Sequence, residues 1–421
     1  MTPVVRQIAF INTAHTITHY SLLILPTAVL AMAVPGGPFG ESYGPILALA
    51  TGMFVCYGLL SLPQGWLVQR FGRKTLMTSF FFGTGLSLAG AGLARSPAML
   101  AITLASAGAF AAIYHPIGTT MLVEAAGDKP GRAIGMNGVF GNLGVALAPA
   151  MTAFLANQIG WRAAFVAPGV VCAAVGLAWM RTPLAIAGGH ATSRPFPPIP
   201  RHMVRRAVVV LMLIAMSSGL VFNAYTILLP KLMQERLAGN STLLPLVGLA
   251  AFLVTLCGAL TQFSVGRTID RNTLKKVFLP VSMVLAPAML ALSFARGWLV
   301  LPLAGVVAAS IFGQVTVNET MAARYISPAL RARIYSVRFF VGFLGAAAAA
   351  PVVSTVYERT GSVAVVTMVL SAFSAVTLCC ALFFPNREEE LNPDLWGRLA
   401  DSQPDGSIAD ADSHATAARA G

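Results

Sequence analysis

The number of long apolar stretches is the feature that most constrains what this chain can fold into. A helix needs about 20 predominantly apolar residues to cross a bilayer. Twelve stretches of this kind can be placed, near 7–34, 44–69, 75–94, 98–122, 134–157, 161–181, 207–230, 243–265, 278–295, 299–323, 334–357 and 362–384. Only 10% of the 421 residues are charged, whereas a soluble domain carries about 25%. The sequence therefore predicts an all-α polytopic membrane protein.

The pattern also predicts the division of the chain. Residues 182–206, rich in proline and basic residues, indicate a cytoplasmic linker between an N-terminal six-helix bundle (1–181) and a C-terminal one (207–384). Residues 385–421 are polar and acidic, which predicts a disordered cytoplasmic tail. The first stretch is too long for a signal peptide and lacks a small-residue cleavage site, so we expect it to be retained as a span.

The net charge of +13 is explained by membrane orientation. Alternate loops of a twelve-span protein share a side, and 21 of the 28 basic residues then fall on one side against six on the other. Cytoplasmic loops carry the excess of Lys and Arg. We therefore predict a multi-pass protein of the inner (plasma) membrane with both termini in the cytoplasm, and we expect no nucleic-acid partner.

An internal repeat relates the two halves. Glycines recur at an offset of 201 residues, which pairs Gly65 with Gly266, Gly141 with Gly342, Gly144 with Gly345 and Gly160 with Gly361. This agreement across several spans predicts two six-helix halves in the same orientation.

The segment Gly65-Trp66-Leu67-Val68-Gln69-Arg70-Phe71-Gly72-Arg73-Lys74 resembles the G-x-x-x-D-R-x-G-R-[KR] motif of the major facilitator superfamily. The resemblance implies twelve helices as two parallel-related six-helix bundles and transport by alternating access. It also implies a cytoplasmic latch that bridges helix ends within one half. The latch residues would be Gly65, Gln69, Arg70, Arg73, Lys74, Asp270 and Arg271. Gln69 replaces the usual acid, and the alternative is that these basic residues only set the topology.

Polar residues inside spans carry the functional prediction, because each is costly in hydrocarbon and tends to face an interior cavity. His15 and His19 share one helical face, and His115 lies in the fourth span at a similar depth. The resemblance places spans one, four, seven and ten around a central cavity. Histidine exchanges protons near physiological pH, which suits proton coupling. The alternatives are neutral, hydrogen-bonded histidines or a metal site. Since no carboxylate lies nearby in the spans, we predict no metal and no cofactor.

A narrower resemblance starts at the same histidines. Tyr114-His115-Pro116 looks like the F-H-P-[EA] element of fosmidomycin-resistance-type drug exporters, whose first span has a His followed four residues later by Asp. His19 stands in place of that acid, so the drug substrate is not carried over. The glycine run of the fifth span, with Asn142, also fits that group.

That glycine run comprises Gly135, Gly138, Gly141 and Gly144. Small residues at this spacing let a neighbouring helix approach closely. The superfamily resemblance places the ridge at the contact between the two halves, and ordinary packing without motion is the alternative.

The remaining predicted pathway residues are Tyr20, Asn223, Tyr225, Gln314, Asn318, Glu319 and Arg338. Glu319 and Arg338 both lie just inside the cytoplasmic boundary. They would form an ion pair at the inner gate, since a buried charge needs a partner. Alternatively, Glu319 accepts a proton and Arg338 anchors an anion.

No enzyme motif is present, neither a phosphate-binding G-x-x-x-x-G-K-[ST] loop nor a C-x-x-C pair. The sequence predicts a monomeric secondary transporter, in the lipid bilayer, for proton-coupled export of a small amphipathic or anionic organic compound. One alternative is uptake or facilitated transport of a nutrient or metal chelate. Another is a non-transporting membrane sensor or scaffold.

Overall fold

The computed structural model describes residues 2–126, 130–184, 197–238, 244–392 and 395–396, and most of them are helical. The α-helices of these residues are α1 (Pro3–Leu22), α2 (Ile24–Met32), α3 (Tyr43–Ala48), α4 (Thr51–Leu59), α5 (Gln64–Gly92), α6 (Pro97–Ala111), α7 (Tyr114–Ala126), α8 (Pro130–Gln158), α9 (Ala163–Met180), α10 (Arg201–Met233), α11 (Leu244–Ile269), α12 (Leu274–Phe294), α13 (Val300–Tyr325), α14 (Pro328–Thr360) and α15 (Val363–Phe383). The predicted all-α class is confirmed.

Among the described residues, ten helical segments are long and apolar enough to cross a membrane. An eleventh is gained if Tyr43–Leu59 and Gln64–Gly92, bent by 86° relative to each other, count as one span. The predicted second and third of twelve spans fall on these two arms. The first arm ends at Leu59 rather than at residue 69, and α5 is broken again at Gly72, whose φ of 78° and ψ of 157° are not helical. The polytopic class is confirmed, and the difference in count lies in this bent region.

Two spans consist of two helices each, and both breaks lie beside a predicted histidine. Proline lacks the N–H that a helix donates to the carbonyl four residues earlier. Pro26 therefore loosens the turn where α1 gives way to α2, and Pro116 does the same between α6 and α7. His19 and His115 flank these breaks. Irregular backbone at membrane depth is tolerated inside the protein or along a cavity, which makes this part of the N-terminal bundle a candidate site.

Buried apolar side chains form three cores that show how the bundles meet. The largest core combines residues of both bundles, such as Phe54 and Phe312, in the helix halves distant from the termini. The other two belong to one bundle each, around Trp179 in the N-terminal bundle and Phe278 in the C-terminal one. The bundles thus join at the end distant from the termini, called the distal end below, and have separate cores at the terminal end.

The internal repeat is visible in helix packing. A Cβ on Gly144 of α8 would lie 2.3 Å from the carbonyl oxygen of Thr16 on α1. A Cβ on the repeat partner Gly345 of α14 would lie 2.4 Å from the carbonyl oxygen of Met216 on α10. Neither position has room for a side chain, so the two glycines seat equivalent helix pairs.

Two of the four glycines of the predicted ridge contact a neighbouring helix. Gly141 and Gly144 contact α1, whereas a Cβ on Gly135 or Gly138 would meet nothing within 4 Å. The ridge therefore packs inside the N-terminal bundle and not between the halves. The halves meet on another face of α8, where Gly248 of α11 approaches the backbone of Pro149.

The segment after α15 is ordered where it is described, contrary to the predicted disorder from residue 385. Glu390 has a fully buried side chain that pairs with Arg324 at 3.2 Å. Its carboxylate accepts hydrogen bonds from the Leu274 backbone at 2.7 Å and the Tyr325 hydroxyl at 2.5 Å. These contacts hold the segment on the terminal end of the C-terminal bundle. Residues 397–421 of the predicted tail lie outside the described residues.

The predicted linker is shorter than expected at its C-terminal end. Helix α10 begins at Arg201 rather than at residue 207 and extends to Met233. Residues 185–196 lie outside the described residues.

Candidate functional site

The three predicted histidines come together within the N-terminal bundle. The Nε2 atoms of His15 and His19 are 3.1 Å apart. The ring of His115 lies 5.1 Å from that of His15 and 5.6 Å from that of His19, between centroids. His15 is buried, while the other two are partly exposed. The break between α6 and α7 places His115 opposite α1, so the structure brings together residues a hundred positions apart.

A polar network behind the cluster holds His15 in one orientation. Its Nδ1 lies 2.7 Å from the carbonyl oxygen of Asn137 on α8. A carbonyl only accepts, so Nδ1 carries the hydrogen, and neutral His15 presents the lone pair of Nε2 to His19. The Asn137 amide bonds to the Tyr114 hydroxyl at 2.8 Å and to Asn12 Oδ1 at 2.9 Å. The ring of Tyr114 stacks on His15 at 4.9 Å.

Asn12 and Asn137 were missed in the sequence. A signal was present for Asn12, which lies three residues before His15 and hence on the same helical face. Asn137 lies inside the glycine run of the fifth span, a pattern that indicates helix packing and gives no signal for the amide. Its contacts join spans that the linear pattern does not pair.

Gly141 provides the space that the cluster occupies. A Cβ at this position would lie 2.6 Å from both Cε1 and Nε2 of His15. The glycine is therefore required by the imidazole, and the ridge and the histidines form one feature.

The three histidines also form a group that could hold a metal ion, with one ring nitrogen from each lying within 4.8 Å of the others. We predicted no metal. Within the described residues this group contains histidines only, with no carboxylate.

Tyr57 connects the cluster to the other bundle. Its ring lies 6.2 Å from that of His115 and 5.3 Å from that of Phe343 on α14. Close contact continues at Gly58, where a Cβ would be 2.7 Å from Cβ of Phe343. The histidine cluster is thus one aromatic ring away from the interface between the bundles.

Glu319 and Arg338 form the predicted ion pair, at 2.7 Å. The Arg338 side chain is 12% exposed and that of Glu319 is 49% exposed. Both residues belong to the C-terminal bundle, on α13 and α14. A pair within one bundle does not tie the two halves together.

The other predicted pathway residues separate into a group that is partly exposed and a group that is buried inside the C-terminal bundle. The first group contains Asn142, Asn223 and Tyr20. Asn142 donates a hydrogen bond to Gln262 on α11 and so joins the two bundles. Asn223, partly exposed, donates to the carbonyl of Gly219 in its own helix at 2.8 Å, and Tyr20 packs at the edge of the shared core.

Three residues lie inside the packing of the C-terminal bundle instead. Tyr225 is buried and donates to the carbonyl of Ala304 at 2.7 Å. The buried amide of Gln314 donates to Ser282 and Thr377 at 3.3 and 3.2 Å. Asn318 is likewise buried. The structure thus places Tyr225 and Gln314 in helix-to-helix contacts and not beside the histidine cluster.

The latch residues occupy the terminal end. Arg73 pairs with Glu124 of α7, a residue outside the predicted latch set. Lys74 donates to the carbonyls of Trp179 and Thr182 and lies 4.4 Å from the centre of the Trp179 ring. These contacts bridge helix ends within the N-terminal half, as a latch requires.

The remaining latch positions show no such bridge. Gly65, Gln69, Arg70, Asp270 and Arg271 are all exposed. A Cβ on Gly65 would meet nothing within 4 Å, so this glycine does not seat a neighbouring helix. Among the described residues Asp270 has no ion pair, and Glu124 supplies the carboxylate that the family motif carries at the position of Gln69.

A polar cluster closes the distal end. The Tyr357 hydroxyl donates to Glu235 at 2.5 Å, and Glu235 lies 3.4 Å from Lys231. The Lys231 ammonium sits 5.3 and 5.4 Å from the rings of Tyr43 and Tyr357. Because Tyr43 belongs to the N-terminal bundle and the others to the C-terminal one, this distal cluster ties the halves together.

Two repeated helical bundles, joined at one end and carrying polar groups near their interface, define a polytopic membrane transporter. The sequence matches the model of the Major Facilitator Superfamily over residues 17–254, more than half of the chain, and the chain belongs to that superfamily. The family and its fold are typical of non-enzymatic transporters. No match was found among curated proteins.

Solved structures share the fold at low sequence identity. A bacterial homolog of the human lysosomal transporter Spinster is similar in its inward-facing unoccupied form, with a TM-score of 0.64, 14% identity, and 94% of this chain and 96% of that chain covered. Its inward-facing occupied form is similar with a TM-score of 0.69 and 13% identity, and the match covers 94% of this chain and 98% of that chain. A D-xylose-proton symporter is similar with a TM-score of 0.72 and 12% identity, and the match covers 91% of this chain and 97% of that chain.

Proposed function

We propose that this protein is a secondary active transporter that exports a small amphipathic or anionic organic compound in exchange for protons. It would lie in the inner (plasma) membrane with both termini in the cytoplasm, since basic residues dominate the terminal side. The narrower resemblance of Tyr114-His115-Pro116 to fosmidomycin-resistance-type exporters supports the outward direction.

The observation that carries the proposal is the contact between His15 and His19. The Asn137 carbonyl fixes the hydrogen of His15 on Nδ1, so the 3.1 Å gap to His19 holds one hydrogen between two Nε2 atoms. An additional proton makes the cluster cationic and removes a lone pair. Binding of a second additional proton is opposed by the positive charge of the first at this distance. The cluster is therefore suited to carrying one proton per cycle.

Competition between proton and substrate follows from the same geometry. A substrate group that donates a hydrogen bond needs a free imidazole lone pair, which protonation removes. Proton and substrate then exclude each other, which is the condition for exchange. The contact from His115 through Tyr57 to Phe343 provides a route by which occupancy of the cluster affects the interface between bundles.

An anionic substrate would bind at Arg338. The anionic group of the substrate and the carboxylate of Glu319 are alternative partners for the Arg338 guanidinium. The half-exposed Glu319 side chain can move away into water. Return of Glu319 to Arg338 would release the anion after the bundles rock.

Proteoliposome flux tests this proposal. We would reconstitute the full chain, impose a pH gradient and screen amphipathic and anionic compounds for movement coupled to proton counterflow. We expect His19→Gln and His115→Gln to lose coupled transport by about tenfold or more, equivalent to about 1.4 kcal/mol in the barrier. Thr13→Val is the matched control on α1, because among the described residues Thr13 donates to the carbonyl of Ala9 in its own helix.

Three outcomes would contradict the proposal. Unchanged coupling in both histidine variants would remove the cluster from the proton pathway. Protons moving in the same direction as the substrate would indicate uptake instead of export. Transport that requires a divalent metal would indicate a metal chelate as the cargo.

A further inference from the structure

An apolar groove with a basic rim lies between α10 and α15 at the terminal end of the C-terminal bundle. Its volume is about 580 Å³, and it is lined by His202, Arg205, Arg206, Val209, Leu213 and Phe383 among others. The α10 residues recur at three- and four-residue intervals, so they form one stripe of that helix. The stripe is basic where α10 begins and apolar farther along it.

The depth of the groove matches one leaflet of a bilayer. Residues 202 to 213 of α10 span about 16 Å at 1.5 Å per residue. Half of a hydrocarbon core of about 30 Å is nearly the same length. A molecule filling this groove therefore has its polar end at the membrane surface and its apolar part in the hydrocarbon.

The basic rim favours a bound molecule whose polar end carries a negative charge. Arg205 and Arg206 are exposed, and Arg206 donates to the carbonyl of Phe383 across the groove. Among the described residues that line the groove none is acidic. Basic pockets between membrane helices attract anionic lipid head groups. An arginine also forms paired hydrogen bonds with a phosphate.

We propose that this groove binds an anionic phospholipid of the leaflet on the terminal side. The phosphate would lie at Arg205 and Arg206, and one acyl chain would lie against Val209, Leu213 and Phe383. This site is separate from the histidine cluster and does not depend on the transported compound.

Native mass spectrometry of the full-length protein in detergent tests the proposal. The probes are palmitoyl-oleoyl phosphatidylglycerol and phosphatidylcholine with identical chains, titrated side by side. We expect tighter binding of phosphatidylglycerol, and about fivefold weaker binding of it by Arg205→Gln. Lys276→Gln is the matched control, because it removes one exposed charge at the same end outside the groove. Leu213→Trp fills the apolar part and should weaken binding of both lipids.

Size-exclusion and circular dichroism profiles would verify that each variant is folded. Equal affinity for the two lipids would overturn the proposal. Equal weakening by Arg205→Gln and Lys276→Gln would overturn it as well, since the attraction would then be diffuse. Unchanged binding in Leu213→Trp would show that the acyl chain lies elsewhere.

Discussion

In the N-terminal bundle the glycine at position 141 faces the imidazole of His15, whereas its repeat partner Gly342 in the C-terminal bundle faces the backbone of α10. The neighbouring pair, Gly144 and Gly345, behaves identically in both bundles. The repeated glycines thus define a common way of packing helices. The polar groups placed on that packing are not repeated.

The same contrast holds for the buried polar networks. The N-terminal bundle buries Asn12, Asn137 and Tyr114 behind titratable histidines. The C-terminal bundle buries Gln314 among hydroxyl groups, and its ion pair is partly exposed. The difference supports our proposal that the N-terminal bundle carries the proton and the C-terminal bundle contacts the charged end of the substrate.

The largest expected effect comes from adding one methyl group at Gly141, compared with the same change at its repeat partner Gly342. Gly141→Ala would push a Cβ to 2.6 Å from the His15 ring. We expect overpacking to cost about 1–3 kcal/mol of stability and coupled transport to fall about tenfold or more. Gly342→Ala is the control, because its nearest atom, the Ala215 carbonyl oxygen, would lie at 3.6 Å. Thermal unfolding and proteoliposome flux would measure both. Equal effects of the two changes would erase the distinction between the bundles.

A second comparison removes one buried amide from each bundle. Asn137→Leu leaves the Tyr114 hydroxyl without its partner. Gln314→Leu removes the donor to the hydroxyls of Ser282 and Thr377, of which Thr377 keeps its bond to the Ser374 carbonyl. Each should lose about 1–3 kcal/mol of stability. Only Asn137→Leu should shift the pH profile of transport, because Tyr114 stacks on His15. A shifted pH profile in Gln314→Leu would assign proton handling to both bundles.

A third comparison concerns the partly exposed ion pairs, Arg73–Glu124 in the N-terminal bundle and Arg338–Glu319 in the C-terminal one. Arg73→Gln should change stability by less than about 1 kcal/mol, because a pair exposed on both sides contributes little in water. Arg338→Gln removes the more buried charge and leaves the half-exposed carboxylate of Glu319 in contact with water. Only Arg338→Gln should raise the substrate concentration at half-maximal flux. The anion-anchor role fails if that concentration is unchanged for an anionic substrate.

The smallest expected effect is the pH dependence of the docked segment after α15. Burial raises the pKa of Glu390 above its usual value of 4.5, against the opposing effect of Tyr325, Leu274 and Arg324. The docked form therefore binds a proton more tightly than the undocked form. Docking should strengthen as pH falls from above the raised pKa towards about 4.5, and weaken as pH rises through the raised pKa.

Fluorescence of the buried Trp396 would follow this docking. Glu390→Gln cannot ionise and should flatten the dependence, while the exposed Glu388→Gln should retain it. An unchanged profile in Glu390→Gln would assign the dependence to another group.

Much of the fold could be predicted because it follows from local composition. Apolar length gave the spans, and the offset of 201 residues gave two equivalent halves whose glycines seat equivalent helices. The bent region at residues 60–72 was less predictable, since its apolar residues continue beyond the point where the helix ends at Leu59. The tail was predicted as disordered because Glu390 finds its partners only after α12 and α13 have packed.

The candidate site was predictable in part, for a related reason. Burial cost marked His15, His19 and His115 as interior residues, and helical spacing put two of them on one face. Spacing along the chain does not show that Asn137 lies behind His15, or that Glu124 and not residue 69 pairs with Arg73. The same limit placed Tyr225 and Gln314 on the pathway, although they face neighbouring helices.

Sequence alone determined that this is a helical membrane protein with two related halves, since hydrocarbon imposes length and polarity on each span separately. It also singled out the histidines, because polar side chains in an apolar span are rare and costly. Tertiary structure decided which polar groups touch, which glycine makes room for His15, and at which end the bundles are joined. Those properties depend on contacts between segments a hundred or more residues apart, and rotation of a helix about its own axis can change them without altering its apolar pattern.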